Sequence, residues 1–222
     1  MKRNAKSVNS SHASRAKRGP AKRTRLAVDE RRNAILKAAK ALFLKQGYAA
    51  TSLEQVVAKS GGSLATVYQL FGNKQGLWRA LVTEVSEQIS APLLDHSVDV
   101  RTTLIEMGLR LVEIDGSPEV AGGIRLIMAE GGGYPELAKT LFEEGPEAGR
   151  RLLANYLTAE NAADRLSVPD AALAAEQFCC LVGGDRLLRN ACGVPKHAPP
   201  DQERRRVEAA VDLFLNTYGA KI

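Results

Sequence analysis

The chain has 222 residues, of which 45% are hydrophobic and 25% are charged, a composition typical of a soluble globular protein of one or two domains. Its net charge of +6 is uneven, because residues 1–25 contain nine Lys or Arg and no acid, whereas the other 197 residues hold 22 basic and 25 acidic side chains. No apolar run reaches the roughly 18 residues of a membrane helix, no apolar core follows the basic start as in a secretory signal, and the three cysteines form no disulfide framework. We therefore expect a cytoplasmic protein whose basic start binds an anionic polymer or surface.

The first part of the chain predicts a basic arm followed by two helices. Residues 1–27 are rich in Lys, Arg, Ser and Ala and are expected to be disordered. From Asp29 to Gly47 the apolar residues recur at helical spacing, and the glycine is a suitable residue to end that helix. Thr51, with Glu54 three residues later, predicts the capping box of a second helix, which ends at Gly61-Gly62.

Two more helices follow closely. Ser63 is expected to cap a short helix from Leu64 to Phe71, and Asn73 to cap a longer helix that ends before Pro92. Two short helices joined by a tight, glycine-containing turn form the helix-turn-helix arrangement. We therefore predict a DNA-binding domain over residues 28–76.

The remaining residues, 77–222, also follow a helical pattern. Helices are predicted to end at Asp115-Gly116 and at Gly131, and Pro146 is expected to kink or split a helix running from Pro135 to about Ala163. Further helices are predicted over 170–191 and from an N-cap at Asp201 to Tyr218. No alternating strand pattern occurs, so the predicted fold class is all-α.

The second helix of a helix-turn-helix presents the residues near its N-terminus to base edges in the major groove. Ser63, Thr66 and Gln69 are hydrogen-bonding side chains in that position, and Tyr68 adds a hydroxyl. Lys74 begins the next helix, where it is expected to pair with a phosphate. The basic run beside this motif predicts that Arg23 and Arg25 also contact DNA.

The segment from Ala49 to Val82 resembles the DNA-binding domain of the TetR family of transcriptional repressors. The matching positions, at the family's spacing, are Thr51-Ser52-Leu53, Val57-Ala58, Gly61, Ser63, Thr66-Val67-Tyr68, Phe71, Asn73-Lys74 and Leu77. The resemblance implies that Thr51, Tyr68 and Lys74 contact phosphates. It also implies that Ser63, Thr66 and Gln69 face bases or backbone. Leu64, Ala65 and Leu70 depart from the family pattern, which removes polar contacts there.

The C-terminal region is similar to the subtype found in AefR-like regulators, through residues 124–130 and 134–138. This similarity implies a homodimer formed by helices near 170–191 and 201–218, a palindromic operator, and release by a small, largely apolar effector. Candidate effector-binding residues are the large apolar, aromatic and charged side chains near the apolar stripes: Met107, Arg125, Met128, Tyr134, Phe142, Tyr156 and Phe178. For each of these, packing in the core is the alternative.

Two other functions are compatible with the composition. The first is a small-molecule-binding helical protein or an enzyme with an incidental basic tail, and the second is a protein attached electrostatically to a membrane surface. The three histidines are isolated, no zinc-ligand spacing occurs, and there is no phosphate-binding glycine loop. The sequence therefore predicts no catalytic residue, metal or cofactor, and a regulator rather than an enzyme.

Overall fold

The computed structural model of the protein describes residues 20–90, 98–194 and 198–220, with side chains over 28–86, 98–194 and 198–220. These ranges form helices α1 (Pro20–Gln46), α2 (Leu53–Ser60), α3 (Leu64–Phe71), α4 (Lys74–Ser90), α5 (Val100–Asp115), α6 (Pro118–Glu130), α7 (Pro135–Glu144), α8 (Pro146–Ala162), α9 (Ala171–Gly183), α10 (Arg186–Ala191) and α11 (Pro200–Tyr218). Beyond helices they contain an isolated antiparallel bridge between Leu166 and Gly219, and no strand. The predicted all-α fold is confirmed.

Two apolar clusters organise these helices. The first joins α1, α2 and α3, which we term the head, to α4, and it also takes in Leu126 from α6 and Leu137 from α7. The second joins α5, α8, α9 and α11, and we term α5–α11 the body. Trp78 lies in the first cluster and its indole N–H donates to the Leu137 carbonyl at 3.2 Å, so α4 is anchored to both head and body.

Two predicted helix starts are corrected by the structure. Helix α1 begins at Pro20 rather than near Asp29, so residues 20–27 of the expected disordered arm are helical. Proline is well suited to the first helical position, and the following Ala, Lys and Arg residues favour a helix. The final helix likewise starts with Pro200 at its first position and not with Asp201 as its cap, because the Asp201 carboxylate instead pairs with Arg205 one turn later.

Glycine and proline positions decide where the body helices divide. The predicted interruption at Pro146 is confirmed, since α7 ends before Gly145 and α8 starts at Pro146. The predicted helix over 170–191 is wrong as a single element, because Gly184 has φ +58° and separates α9 from α10. A left-handed φ is strained for residues other than glycine, so the break depends on that residue.

In the residues that the structure describes, no helix combines the length and the apolar character needed to span a membrane.

Candidate nucleic-acid interface

The start of α2 is capped one residue later than the sequence predicts. Ser52 accepts a hydrogen bond from Gln55 N at 3.3 Å, and the Gln55 side chain accepts one from Ser52 N at 2.9 Å. Thr51 is instead 2% exposed, and its hydroxyl donates to the Gly47 carbonyl at 2.7 Å. The predictions that Thr51 caps α2 and contacts a phosphate are therefore corrected, because its hydroxyl is buried and used within the head.

The turn between α2 and α3 is held against α1. Gly61 and Gly62 have φ of +75° and +97°, a conformation that side-chain-bearing residues rarely adopt. Arg31 of α1 donates from Nη1 to the Ser60 carbonyl at 3.3 Å, which places an exposed guanidinium beside this turn. Sequence reasoning missed Arg31, because its partner lies 29 residues away and no local spacing signals the contact.

Helix α3 separates a buried side from an exposed side over a few residues. Val67 is fully buried in the head, whereas Tyr68 is 53% exposed and Gln69 is exposed. Ser63 caps the helix by accepting from Thr66 N at 3.2 Å, and the two hydroxyls lie 3.0 Å apart. The predicted DNA-contacting residues Ser63, Thr66, Tyr68 and Gln69 thus lie together at the cap and in the first two turns of one short helix.

The positions that depart from the family pattern contribute packing. Leu64 and Leu70 are partly buried against the head cluster, so they offer apolar contact to the core instead of a polar group. Ala65 is exposed and has no hydrogen-bonding side chain. The polar groups that α3 and its cap present therefore come from the four predicted DNA-contacting residues.

Lys74, at the start of α4, is folded back onto the head. Its ammonium lies 4.2 Å from the centre of the Tyr48 ring and donates to the Ala49 carbonyl at 3.3 Å. Burial holds the pKa of Lys74 below its usual value, and the nearby Glu130 carboxylate partly opposes this shift. A phosphate contact by Lys74 remains a prediction, and it would require the side chain to extend from this position.

The charge distribution distinguishes the head from the rest of the chain. Residues 28–76 contain seven Lys or Arg and three Asp or Glu, a net charge of +4, whereas residues 77–222 contain 15 and 22, a net charge of −7. Such an asymmetry attracts a polyanion to the head and repels it from the body. The side chains of Arg23 and Arg25, predicted to add to this attraction, lie outside the described ones.

The candidate effector-binding residues fall into three groups. Met107, Tyr156 and Phe178 are buried in the body cluster, at 3% exposure or less. Met128 and Phe142 are 66% and 50% exposed, so the prediction that they line an interior pocket is corrected. They stand on the outer faces of α6 and α7, a side that helical spacing alone does not identify.

The other two candidates, Arg125 and Tyr134, make contacts between distant parts of the chain. Arg125 donates from Nη1 to the carbonyls of Asn190 and Ala191 at 3.4 and 3.3 Å, at the end of α10. Tyr134 packs edge-on against Tyr48 of the head, with ring centres 5.3 Å apart. Both side chains therefore make contacts that join separate parts of the fold, α6 to the end of α10 and the start of α7 to the turn after α1.

A charged group in the body was also missed by sequence reasoning. Asp115 ends α5, where burial raises its pKa from 3.8 to about 6 although the charge of Arg186 opposes the shift. The side chains of Arg186 and of Glu203, its ion-pair partner from α11, are themselves largely buried, at 13% and 14% exposure. Among the described residues, no group of three or more His, Cys, Asp or Glu side chains is arranged to hold a metal ion.

Comparison with known proteins gives two family matches. The family described as "Bacterial regulatory proteins, tetR family" matches residues 35–81, and "AefR-like transcriptional repressor, C-terminal domain" matches residues 102–220, more than half of the chain. The HTH-type transcriptional regulator YvkB of Bacillus subtilis is 27% identical over 187 residues, which are 84% of this chain and 96% of that protein. The repressor ComR of Escherichia coli is 40% identical over 60 residues, or 27% of this chain and 29% of that protein.

Solved structures agree with these matches. The flavonoid-responsive regulator FrrA superposes with a TM-score of 0.73 at 28% identity, over 87% of this chain and all of that chain. A TetR-family transcriptional regulator from Mesorhizobium loti has the same fold, with a TM-score of 0.73 at 24% identity over 86% of this chain and 98% of that chain. The helix-turn-helix head and the helical body thus match their respective family models, and the chain belongs to the TetR family of DNA-binding transcriptional regulators.

Proposed function

We propose that the protein is a homodimeric repressor that binds a palindromic operator through paired heads and leaves it when a small, largely apolar effector binds the body. The observation that carries the DNA-binding part is the exposed, polar side of α3 on a positively charged head. One such helix reads few base pairs, so two heads related by a two-fold axis supply the specificity.

The apolar surface of α9 and α11 supports the dimer. Leu173 and Leu181 of α9 are 49% and 41% exposed, and Leu213 of α11 is 56% exposed. A groove of about 420 Å³ between these helices is lined by Gln177, Cys180, Leu181, Leu213, Phe214, Thr217 and Tyr218. Two helices with a shared apolar face form half of a four-helix bundle, and a second copy of the chain completes it.

The effector part of the proposal is supported by the body and by one relative. FrrA is described as flavonoid-responsive, and the AefR-like family match covers the body of this chain. Met107, Tyr156 and Phe178 line the apolar centre of the body, where an apolar molecule would insert between α5, α8 and α9. A 100-fold weakening of DNA binding requires about 2.7 kcal/mol of preference for the released state, an ordinary coupling energy.

Selection of bound duplexes from a random pool tests the proposal with the full-length protein. A palindromic motif is expected, with half-sites one helical turn apart, about 34–36 Å. If each dimer contacts about 6–10 phosphates, the slope of log affinity against log salt is about −5 to −9. No enriched palindrome, or a flat salt response, would contradict the proposal.

Variants of α3 separate affinity from specificity. Tyr68→Ala is expected to weaken binding to all duplexes by a similar factor, because phosphate contacts carry no sequence information. Gln69→Ala is expected to change the selected motif, and an unchanged motif removes Gln69 from the readers. Phe142→Ala is the matched control, since Phe142 is an aromatic residue of similar exposure on the body.

A further inference from the structure

A carboxylate of the body accepts two hydrogen bonds from the turn that follows α1. Glu130, the last residue of α6, accepts from the main-chain N–H of Tyr48 at 3.1 Å through Oε1. Its Oε2 accepts from the N–H of Ala49 at 2.7 Å. We term Gly47–Ala49 the junction turn, and both oxygens of one side chain therefore bind adjacent main-chain groups of this turn.

The junction turn is shaped for this approach. Gly47 has φ +90°, and a Cβ placed on it would lie 2.1 Å from Glu130 Oε1, much closer than atoms of neighbouring residues come. The positive φ favours glycine here, and a side chain at this position would displace the Glu130 carboxylate from the turn. A contact that constrains residues on both sides of a head–body boundary is not an incidental surface contact.

The position of Glu130 is locally unfavourable. A negative side chain at the last residue of a helix lies beside the partial negative charge of the helix C-terminus. Hydrogen bonds from main-chain N–H groups to a carboxylate are charge-assisted and stronger than neutral ones. The two hydrogen bonds to the junction turn offset this repulsion. A glutamate at the end of α6 is therefore explained by its contact with the turn and not by helix stability.

Other contacts converge on the same turn. Tyr134, which precedes α7, packs edge-on against Tyr48. Lys74 of α4 lies over the Tyr48 ring and donates to the Ala49 carbonyl. The junction turn, which follows α1, therefore contacts α4, α6 and the residue before α7. A shift of the α6 C-terminus would act on the head through its main chain.

We infer that Glu130 is a positioning residue that fixes the orientation of the head on the body, and so sets the half-site spacing that two paired heads accept. This inference rests on the proposed function, because orientation matters only where two heads read one operator. Glu130 needs no contact with DNA or effector in this role. Because the carboxylate ties the end of α6 to the junction turn, a movement of α6 is expected to move the head and, with it, α3.

The chain contains a matched control at the other end of the same helix. Glu119, in the first turn of α6, pairs with Lys40 of α1 at 3.2 Å, so it also joins the body to α1. Its side chain and that of Lys40 are 46% and 44% exposed. Exposed ion pairs contribute little, so removing this carboxylate leaves the head orientation in place.

The test compares Glu130→Gln with Glu119→Gln in the full-length dimer. Binding is measured to the selected operator and to duplexes in which the half-site separation is changed by one base pair. We expect Glu130→Gln to weaken operator binding about 10-fold, the lower range for loss of a hydrogen bond to a charged group, and to reduce the preference for the correct spacing. Glu119→Gln and the wild type are expected to keep that preference.

Hydrogen exchange gives a second readout that does not involve DNA. Glutamine keeps one acceptor oxygen but loses the negative charge and the second acceptor. At least one of the amides of Tyr48 and Ala49 is therefore expected to exchange about 10-fold faster in Glu130→Gln, whereas both exchange at the wild-type rate in Glu119→Gln. Glu130→Asp keeps the charge but is one methylene too short to reach both amides, and it replaces the Gln variant if that variant does not fold. A variant with faster exchange and reduced spacing preference supports the inference.

Two results would overturn it. If exchange at Tyr48 and Ala49 is unchanged in Glu130→Gln, the carboxylate does not hold the turn. If exchange accelerates but the spacing preference stays at the wild-type level, the contact exists without setting the orientation. A wild-type protein with no preference for any palindrome is a different outcome, because it refutes the proposed function and removes the basis for the spacing role.

Discussion

Truncation of one exposed leucine on α11 tests whether α9 and α11 form the dimer interface. Leu213 is 56% exposed, so most of its side chain is available to a partner and little of it supports the body itself. In Leu213→Ala, the fold of each protomer is expected to persist while association weakens. In a two-fold interface the same side chain is lost on both sides.

The magnitude follows from that exposed fraction. Full burial of a leucine side chain contributes about 1.5–3 kcal/mol, so burial of the exposed half contributes about 0.8–1.5 kcal/mol. Two copies per interface give about 1.5–3 kcal/mol, which raises the dimer dissociation constant about 10- to 150-fold.

Sedimentation equilibrium over a range of protein concentrations measures this constant directly. Phe142→Ala is the matched control, because Phe142 is 50% exposed but lies on α7, outside the proposed interface. Its dimer constant is expected to equal that of the wild type. A wild-type constant in Leu213→Ala, or equal weakening in the two variants, would refute the assignment of this face.

Three further predictions concern stability, measured as the free energy of unfolding in urea. Burial raises the pKa of Asp115 to about 6, so the folded state favours the protonated carboxyl, and this group destabilises the fold as pH rises from about 4 to about 6. Asp115→Asn is therefore expected to stabilise the fold by up to ~3 kcal/mol at about pH 7.5 and not at all below about pH 4. An effect that does not change with pH would contradict this prediction. Ser52→Ala is expected to lower the free energy of unfolding by about 1 kcal/mol through loss of the α2 cap. An unchanged free energy of unfolding would show that Ser52 does not stabilise α2 as its cap. Gly108→Ala is expected to destabilise by about 1–3 kcal/mol, because its Cβ would lie 2.6 Å from Val207 Cγ1. The control Gly149→Ala, with nothing within 4 Å, should instead stabilise by up to about 1 kcal/mol, and equal effects of the two changes would refute the packing argument.

Local patterns were sufficient to predict helix α3 of the head. The spacing of apolar residues, the cap at Ser63 and the glycine breaks predicted α3 with the bounds Leu64–Phe71 that the structure has. These signals act within one or two helical turns, so they are visible in the sequence itself. The same holds for the division at Pro146 and for the all-α class.

The sequence could not decide between two adjacent residues that are equally suited to cap α2. Thr51 and Ser52 are both good N-caps, and each has a polar partner three residues later. The tertiary structure decides between them, because the Thr51 hydroxyl is buried against the Gly47 carbonyl and only Ser52 is free to cap. In the same way, Gly183-Gly184 is compatible with a helix seam or a break, and the positive φ of Gly184 decides for the break.

The amino-acid sequence alone determined the helical class, the helix-turn-helix segment and the family, since these depend on periodicity and on motif spacing along the chain. Only the tertiary structure placed Glu130 on the junction turn, which lies 81 and 82 residues away, and sent Met107 into the core but Met128 to the surface. An amphipathic stripe shows that a helix has an apolar side, but not which neighbouring helix, partner chain or solvent that side meets. Contacts between distant residues depend on how the helices pack, and packing energy is shared among many side chains that no local pattern connects.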